Sequence, residues 1–334
     1  MTIKDLANQT GYSIGTVSRV LNNQPHVSDR AREVILRAAA ECGFQLNSNA
    51  KQLKQQHGTS ILVICKGDNN ELFDTLLVAI QARIAGTRYP LIVDYIDESE
   101  NEVRRGVHLV QEKKPLGILF LGGNREHFLE DFHPIDVPCV LVTSDASGLP
   151  FPNLSSVTAD DTQAARMAVS RLIQAGHRNI AVIGGHRSYS EMTRLRYQGC
   201  LEAFRENGLD FSEEYNYETA RFTYEDGYRA AQALLTRNPK VTALFAMSDV
   251  MAIGAIRGLR DAGRRVPEDV SVIGFDGLAI GAYTVPRLAT VLQDVDALAQ
   301  RSLELLNRQI EDGSEACCET VPVQLLWRES AIEI

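Results

Sequence analysis

The feature that most constrains this chain is a series of short, continuous apolar runs separated by stretches of helical periodicity. The runs span 61–65, 91–93, 117–121, 139–142, 180–183, 243–247 and 270–274. A short apolar run without alternation marks a strand buried on both faces, as strands of parallel sheets are. Helix-period stretches at 73–85, 102–113, 162–175, 194–207, 224–236 and 249–262 lie between them. This alternation predicts an α/β fold with parallel sheets. It falls into two series divided near Thr158-Ala159-Asp160, and a late strand at 288–292 with a helix at 296–310 is surplus to the second. The chain is therefore expected to cross back between two lobes. Its 334 residues exceed what one core serves, and no apolar run approaches the roughly 18 residues that span a bilayer.

Residues 1–57 read differently. Seven bases (Lys4, Arg19, Arg30, Arg32, Arg37, Lys51, Lys54) stand against four acids (Asp5, Asp29, Glu33, Glu41), a net +3 in a chain of −9, which leaves −12 for the remainder. A basic head on an acidic body is the charge distribution of a polyanion-binding module joined to a regulatory domain. The stretch 4–9 predicts a short helix with Leu6 and Ala7 inward, Thr10-Gly11-Tyr12 a turn, and Ser13 the cap of a second helix reaching Leu21. Ala7, Gly11 and Val17 have the spacing a helix-turn-helix needs: a small residue at the crossing, a glycine able to take positive φ, and an apolar anchor. A third helix is capped by Ser28, turns Val34, Ile35 and Ala38 inward, and ends at Gly43. A plain three-helix bundle satisfies the same pattern.

Thr16-Val17-Ser18-Arg19-Val20-Leu21-Asn22, then His26-Val27-Ser28, Arg32, Gly43-Phe44 and Asn47, resemble the DNA-binding headpiece of the lactose repressor (LacI/GalR) family over most of residues 1–47. The resemblance implies an all-α helix-turn-helix headpiece whose second helix lies in the major groove. Ile14, Gly15 and Arg19 would face bases, Thr16, Ser18 and Asn22 the backbone, with His26 in the same DNA-facing set. Arg19 has the fork to donate to guanine O6 and N7, and Ile14 suits a thymine methyl, whereas Gly15 has no side chain to read with. Residues 47–56 are polar except for Ala50 and Leu53, and too short to be helical alone. In the family this stretch (48–58 with its flank) is a hinge helix in the minor groove. Leu53 would be its wedge, with Ala50 beside it and Lys51 and Lys54 on phosphates or groove edges. A solvated linker is the other reading. Leu46 replaces the usual proline and Lys51 the usual arginine.

The resemblance continues through Ala175-Gly176-His177, Ile183-Gly184-Gly185, Arg194-Leu195-Arg196-Tyr197-Gln198-Gly199, Ser248-Asp249, Val272-Ile273-Gly274-Phe275-Asp276 and Gln293-Asp294. It implies a two-lobed body over 59–334 of the type I periplasmic-binding-protein-like fold, with lobe 1 at about 59–158 and 292–318 and lobe 2 at about 159–291 and 319–334. The cleft at the strand ends would hold a small polar effector, a sugar or sugar derivative. Arg196 and Asp249 match positions that hold ligand in relatives, and a guanidinium with a carboxylate brackets vicinal hydroxyls well. A structural ion pair between them is the alternative. Phe73 is either an aromatic wall or core, and Asp276 either reaches the cleft or caps a turn. Thr143 stands where relatives commonly carry a ligand-binding aspartate. Lys66 is either a phosphate- or carboxylate-binding group or a surface lysine.

Enzyme motifs are missing: there is no Gly-x-x-x-x-Gly-Lys, Gly-x-Gly-x-x-Gly, Gly-x-Ser-x-Gly or His-Glu-x-x-His. The six cysteines form no metal or disulfide spacing and read as buried thiols, with Cys317-Cys318 as the candidate redox pair. The first six residues carry an acid and no apolar block, which points to a cytoplasmic chain. The expectation is a non-enzymatic, cofactor- and metal-free transcription regulator, acting as a repressor. It would bind double-stranded operator DNA as a homodimer, stay off membranes, and answer to a small effector. The runner-up is the same DNA-binding type controlled by a protein partner.

Overall fold

The structure, a computed structural model, describes residues 3–21, 27–42, 58–67, 70–87 and 89–334. The chain divides into two compact units, Met1–Gly58 and Thr59–Ile334.

In the first unit, α1 (Ile3–Thr10), α2 (Ile14–Leu21) and α3 (Asp29–Glu41) pack around Leu6, Ala7, Val17, Val20, Ala31, Ile35 and Ala39. Gly11 takes φ +72 in the turn, where only glycine is free of strain. Ser13 Oγ accepts from Thr16 N at 3.1 Å and opens α2. Ser28 Oγ accepts from Ala31 N and opens α3. The inner stripe of α3 is shifted from the expected one: Ala31, Ile35 and Ala39 are buried while Val34 and Ala38 sit half-exposed at its edges. Ridge spacing of four selects them, and the short side chains let the three helices approach closely.

The second unit holds two six-stranded sheets. Strands β1 (Ile61–Lys66), β2 (Leu91–Ile96), β3 (Gly117–Leu121), β4 (Cys139–Val142) and β5 (Leu154–Ala159) form the first with β11 (Cys318–Val321), in the order β11-β5-β4-β3-β1-β2, all parallel. Strands β6 (Ile180–Gly184), β7 (Tyr217–Thr219), β8 (Ala243–Ala246), β9 (Ser271–Asp276), β10 (Ala289–Gln293) and β12 (Val323–Leu326) form the second, in the order β12-β10-β9-β8-β6-β7. Only β12 is antiparallel there, running against β10. Helices cover both faces of each sheet. In lobe 1 they are α4 (Glu71–Ile84), α5 (Glu102–Lys113), α6 (Arg125–Asp131) and α12 (Val295–Asp312). In lobe 2 they are α7 (Asp161–Gln174), α8 (Glu191–Glu206), α10 (Tyr224–Arg237) and α11 (Asp249–Asp261), with the short α9 (Glu213–Asn216) preceding β7.

The chain changes lobe three times, at Asp160, Asp294 and Pro322, each between an element of one lobe and an element of the other. Asp160 and Asp294 cap the helices that follow, accepting from Gln163 N and Ala297 N at 2.9 Å. Two lobe boundaries differ from those expected. The second-lobe segment runs past the expected 291 to Gln293, because all of β10 pairs with β9 or β12, and the return to lobe 1 begins only at Asp294. The returning segment also runs to Val321, since β11 pairs with β5. Strands β5, β7, β11 and β12 carry too few apolar residues to stand out as runs. The cysteine reading is corrected as well: Cys65, Cys139 and Cys200 are buried, but Cys42, Cys317 and Cys318 are exposed.

Helices α10 and α11 meet backbone to backbone through Gly227, Gly254 and Gly258, where an added Cβ would collide with the carbonyls of Met251, Tyr224 and Tyr228. Gly254→Ala forces these helices apart. The expected cost is about 2 kcal/mol, or roughly 4–8 °C off the Tm of the body by scanning calorimetry; an unchanged Tm would mean that the crossing tolerates a methyl.

Candidate functional site

The carboxyl ends of the strands from both lobes meet around a cavity of about 230 Å³. Lobe 1 contributes Lys66-Gly67 at the end of β1, Glu98 after β2, Gly122-Gly123 after β3, and Asn70 and Phe73 from the start of α4. Lobe 2 contributes His186, Tyr189, Ser190 and Met192 between β6 and the first turn of α8, and Arg221, Phe222, Thr223 and Asp226 after β7. Parallel strands with both faces covered leave only their ends to build a site, and the sheet order reverses beside β1. Met192 reaches out of lobe 2 into the apolar cluster of lobe 1 that contains Phe73.

The lobe 1 wall is organised by one buried carboxylate. Glu102 accepts from Lys66 Nζ at 2.5 Å, from Asn124 N at 2.7 Å and pairs with His127 Nδ1 at 3.0 Å. These contacts tie the ends of β1 and β3 and the starts of α5 and α6 to one point. Burial pushes the Glu102 carboxyl up, but His127, Lys66 and the Asn124 amide together outweigh it and hold the group below its ordinary value. Lys66 is thus neither a surface lysine nor a free cation. Arg221 is committed too, to Asp97 at 2.5 Å and Glu98 at 2.9 Å. His186 Nδ1 lies 2.7 Å from Ser188 Oγ and its ring stacks on Tyr189.

Of the residues singled out in the sequence, Phe73 lines the cavity, whereas Arg196, Asp249 and Asp276 lie buried outside its wall. The expected Arg196–Asp249 bracket is not formed, nor is the alternative ion pair between them. Arg196 donates to Asp161 Oδ1 at 2.7 Å and to the Met247 carbonyl at 2.5 Å, and its guanidinium lies 3.6 Å over the Phe275 ring. Asp276 is 3.8 Å from Arg196 and accepts from Gln293 Nε2 at 3.0 Å. Asp249 accepts from Leu278 N and the Thr290 hydroxyl, each at 2.6 Å. A carboxylate at the start of a helix is drawn to nearby backbone donors, which here lie closer than the guanidinium. Thr143 takes φ +70, and its hydroxyl and that of Ser144 are buried without a partner. The sequence reading missed Tyr189, Phe222, Glu98 and Arg221. The last three flank the ends of β2 and β7, and β7 is too short to announce itself.

In the headpiece, Gly15 and Arg19 are exposed one turn apart on α2, and Thr16 is half-buried with its hydroxyl 2.9 Å from that of Ser13. Ile14 and Ser18 stand on the same helix. Asn22, His26, Ala50, Lys51, Leu53 and Lys54 lie outside the described residues.

Three carboxyls, Asp161, Asp249 and Asp276, share the lobe 2 interior with one guanidinium, and burial raises all three. Asp276 is pushed up to about 7, against a lowering pull from Arg196 and Gln293. Between its ordinary value and about 7 the folded chain keeps a proton that the unfolded chain has lost. The stability this proton lends is full at low pH and disappears as pH rises to about 7. Asp276→Asn should therefore flatten the decline of Tm between about pH 4.5 and 7.5; the same slope in both proteins would rule Asp276 out as its source.

Residues 2–47 match the bacterial regulatory proteins of the lacI family, and residues 169–331 match the periplasmic binding protein-like domain. Catabolite control protein A of Priestia megaterium is 33% identical over 319 residues, covering 94% of this chain and 95% of the relative. The lac repressor dimer bound to operator and the anti-inducer ONPF superposes with a TM-score of 0.79 at 25% identity, covering 99% of this chain and 98% of that one. The complex of the transcriptional regulator CelR with cellobiose gives 0.72 at 28% identity, over 99% of each chain. Helix-turn-helix head and two-lobed body accord with these matches, and the chain belongs to the lacI family of DNA-binding, ligand-responsive transcriptional regulators.

Proposed function

We propose that the cleft takes a small, uncharged, hydroxyl-rich effector, a single sugar or a similar polyol, and that its occupancy decides whether a dimer of this chain represses from its operator. The observation that carries this reading is the state of the cations around the cavity. Among the described residues that line it, Lys66 is paired with Glu102 and Arg221 with Asp97 and Glu98, so a phosphate or carboxylate would have to displace an existing partner. The aromatic faces of Phe73, Tyr189 and Phe222 and the polar groups of Asn70, Ser190, Thr223 and Asp226 suit a ring with apolar faces and a hydroxyl rim. The cavity lies below the range of about 300–1,000 Å³ typical of drug-sized ligands, which favours a small molecule. CelR, solved with cellobiose, supports a sugar. The cleft is assigned to binding and not to catalysis, and the chain to the cytoplasm, where its DNA is.

Arg196, Asp249 and Asp276 support the lobe 2 wall of the cleft from behind. On the DNA side, Arg19 is assigned to a base edge, with Ile14, Gly15, Thr16 and Ser18 along the same helix. Two copies reading two half-sites imply an approximately palindromic operator. By linkage, operator DNA and effector alter each other's affinity by the same factor.

A thermal-shift panel tests the effector. A neutral sugar at about 100 times its Kd should add roughly 2.7 kcal/mol of stability, its phosphorylated counterpart should add none, and Phe222→Ala should erase the shift. Stabilisation by phosphorylated sugars alone would reverse the charge argument, and a protein that ignores the whole panel would have to answer to a protein partner instead. For DNA, Arg19→Ala should cost about 1–3 kcal/mol on the operator and relax preference at one symmetric pair of positions. Equal losses on operator and random DNA would reduce Arg19 to a phosphate contact.

A further inference from the structure

The two lobes touch across the mouth of the cleft through side chains that no part of either core requires. Arg221, just past β7 in lobe 2, reaches over to Asp97 and Glu98, just past β2 in lobe 1, at 2.5 and 2.9 Å. Beside it the Tyr224 hydroxyl donates to Glu71 Oε1 at 2.5 Å, and farther along the cleft Asn124 Nδ2 donates to the Ser188 carbonyl at 3.1 Å. Outside the inner cavity lies a second, more open chamber of about 550 Å³. Glu98 and Arg221 line both chambers, so the ion pair that bridges the lobes also stands between outer and inner space.

We propose that Arg221, with Asp97 and Glu98, is a latch that holds the cleft closed and gates entry to the inner chamber. Its exposure suits that work. The Arg221 side chain is 51% accessible and those of Asp97 and Glu98 39% and 25%, so water screens the attraction and the two pairs, sharing one guanidinium, together bias the closed state by only about two- to fivefold. A bias of that size keeps the open state populated, and a ligand that bridges the inner walls shifts the balance with ordinary affinity. A fully buried pair would lock the lobes, because separating it strands two desolvated charges. The ends of β2 and β7 occupy matching edges of the two sheets, so a contact there works far from the sheet centres on any motion about the three crossings.

The latch rests on the effector reading only for what passes the gate, and its test needs no effector. Hydrogen exchange is followed at 122–126 and 184–193, the walls that meet through Asn124 and Ser188 and contain none of the altered residues. Local opening limits exchange there. Arg221→Gln should speed exchange in both walls about two- to fivefold, and Arg221→Glu further. Adding Asp97→Lys and Glu98→Lys to Arg221→Glu should return it to the parental rate. Raising sodium chloride to 1 M should speed the parent and leave Arg221→Gln unchanged. Strand β9 serves as the folding control and should exchange alike in all variants. Parental rates in both Arg221 variants, or a rise that reversed charges fail to restore, would overturn the latch. Neither outcome bears on which sugar binds, so a failed thermal-shift panel and a failed latch are separate results.

Discussion

Three passages of chain between the lobes, at Asp160, Asp294 and Pro322, are the constraint on which the rest of this body depends. Each lobe is a sheet, wholly parallel in lobe 1 and parallel but for β12 in lobe 2, whose two faces are covered by helices, so the strand ends are left to form a site. Because the chain passes from one lobe to the other three times, those ends are held facing each other while each lobe keeps its own core. Two crossings carry an aspartate that caps the following helix. The geometry at the change of lobe is thus set by local hydrogen bonds, and what remains free is a small set of dihedrals between rigid bodies. Motion about such points is hinge motion, the kind that a ligand in the cleft biases.

The cleft divides its charges by depth. Arg196, Asp161, Asp249 and Asp276 are almost completely buried and hydrogen-bonded, and Glu102 with Lys66 repeats that pattern in lobe 1. Removing a partner from one of these contacts would leave a buried polar or charged group unsatisfied, at a cost of about 1–5 kcal/mol. At the mouth the pairs are exposed and replaceable by water at small cost. Rigidity therefore belongs to the floors of the cleft and adjustability to its rim, which is the distribution a binding site with two states requires.

Head and body are separate compact units with separate cores. The small core of the headpiece, built largely from alanine and valine, agrees with a module whose task is to present one helix. Arg19 stands exposed one turn beyond Gly15, where the backbone of the helix is bare.

By itself the sequence determined the strand–helix alternation, the division near residue 159, the helix-turn-helix head and the family. These follow from local pattern: apolar runs of strand length, a glycine between two short helices, caps at Ser13 and Ser28. Tertiary structure decided what depends on partners far apart in the chain. It assigned β11 to the first sheet, because strand pairing and not apolar content settles the fate of a weak strand. It separated Arg196 from Asp249, since each found a nearer partner, in Asp161 and in the Leu278 amide, of which spacing gives no hint. Lys66 stood out in the sequence as an unusual charge after the first strand, but only the fold placed the Glu102 carboxylate 2.5 Å from its amine and so turned a candidate anion site into a neutral wall.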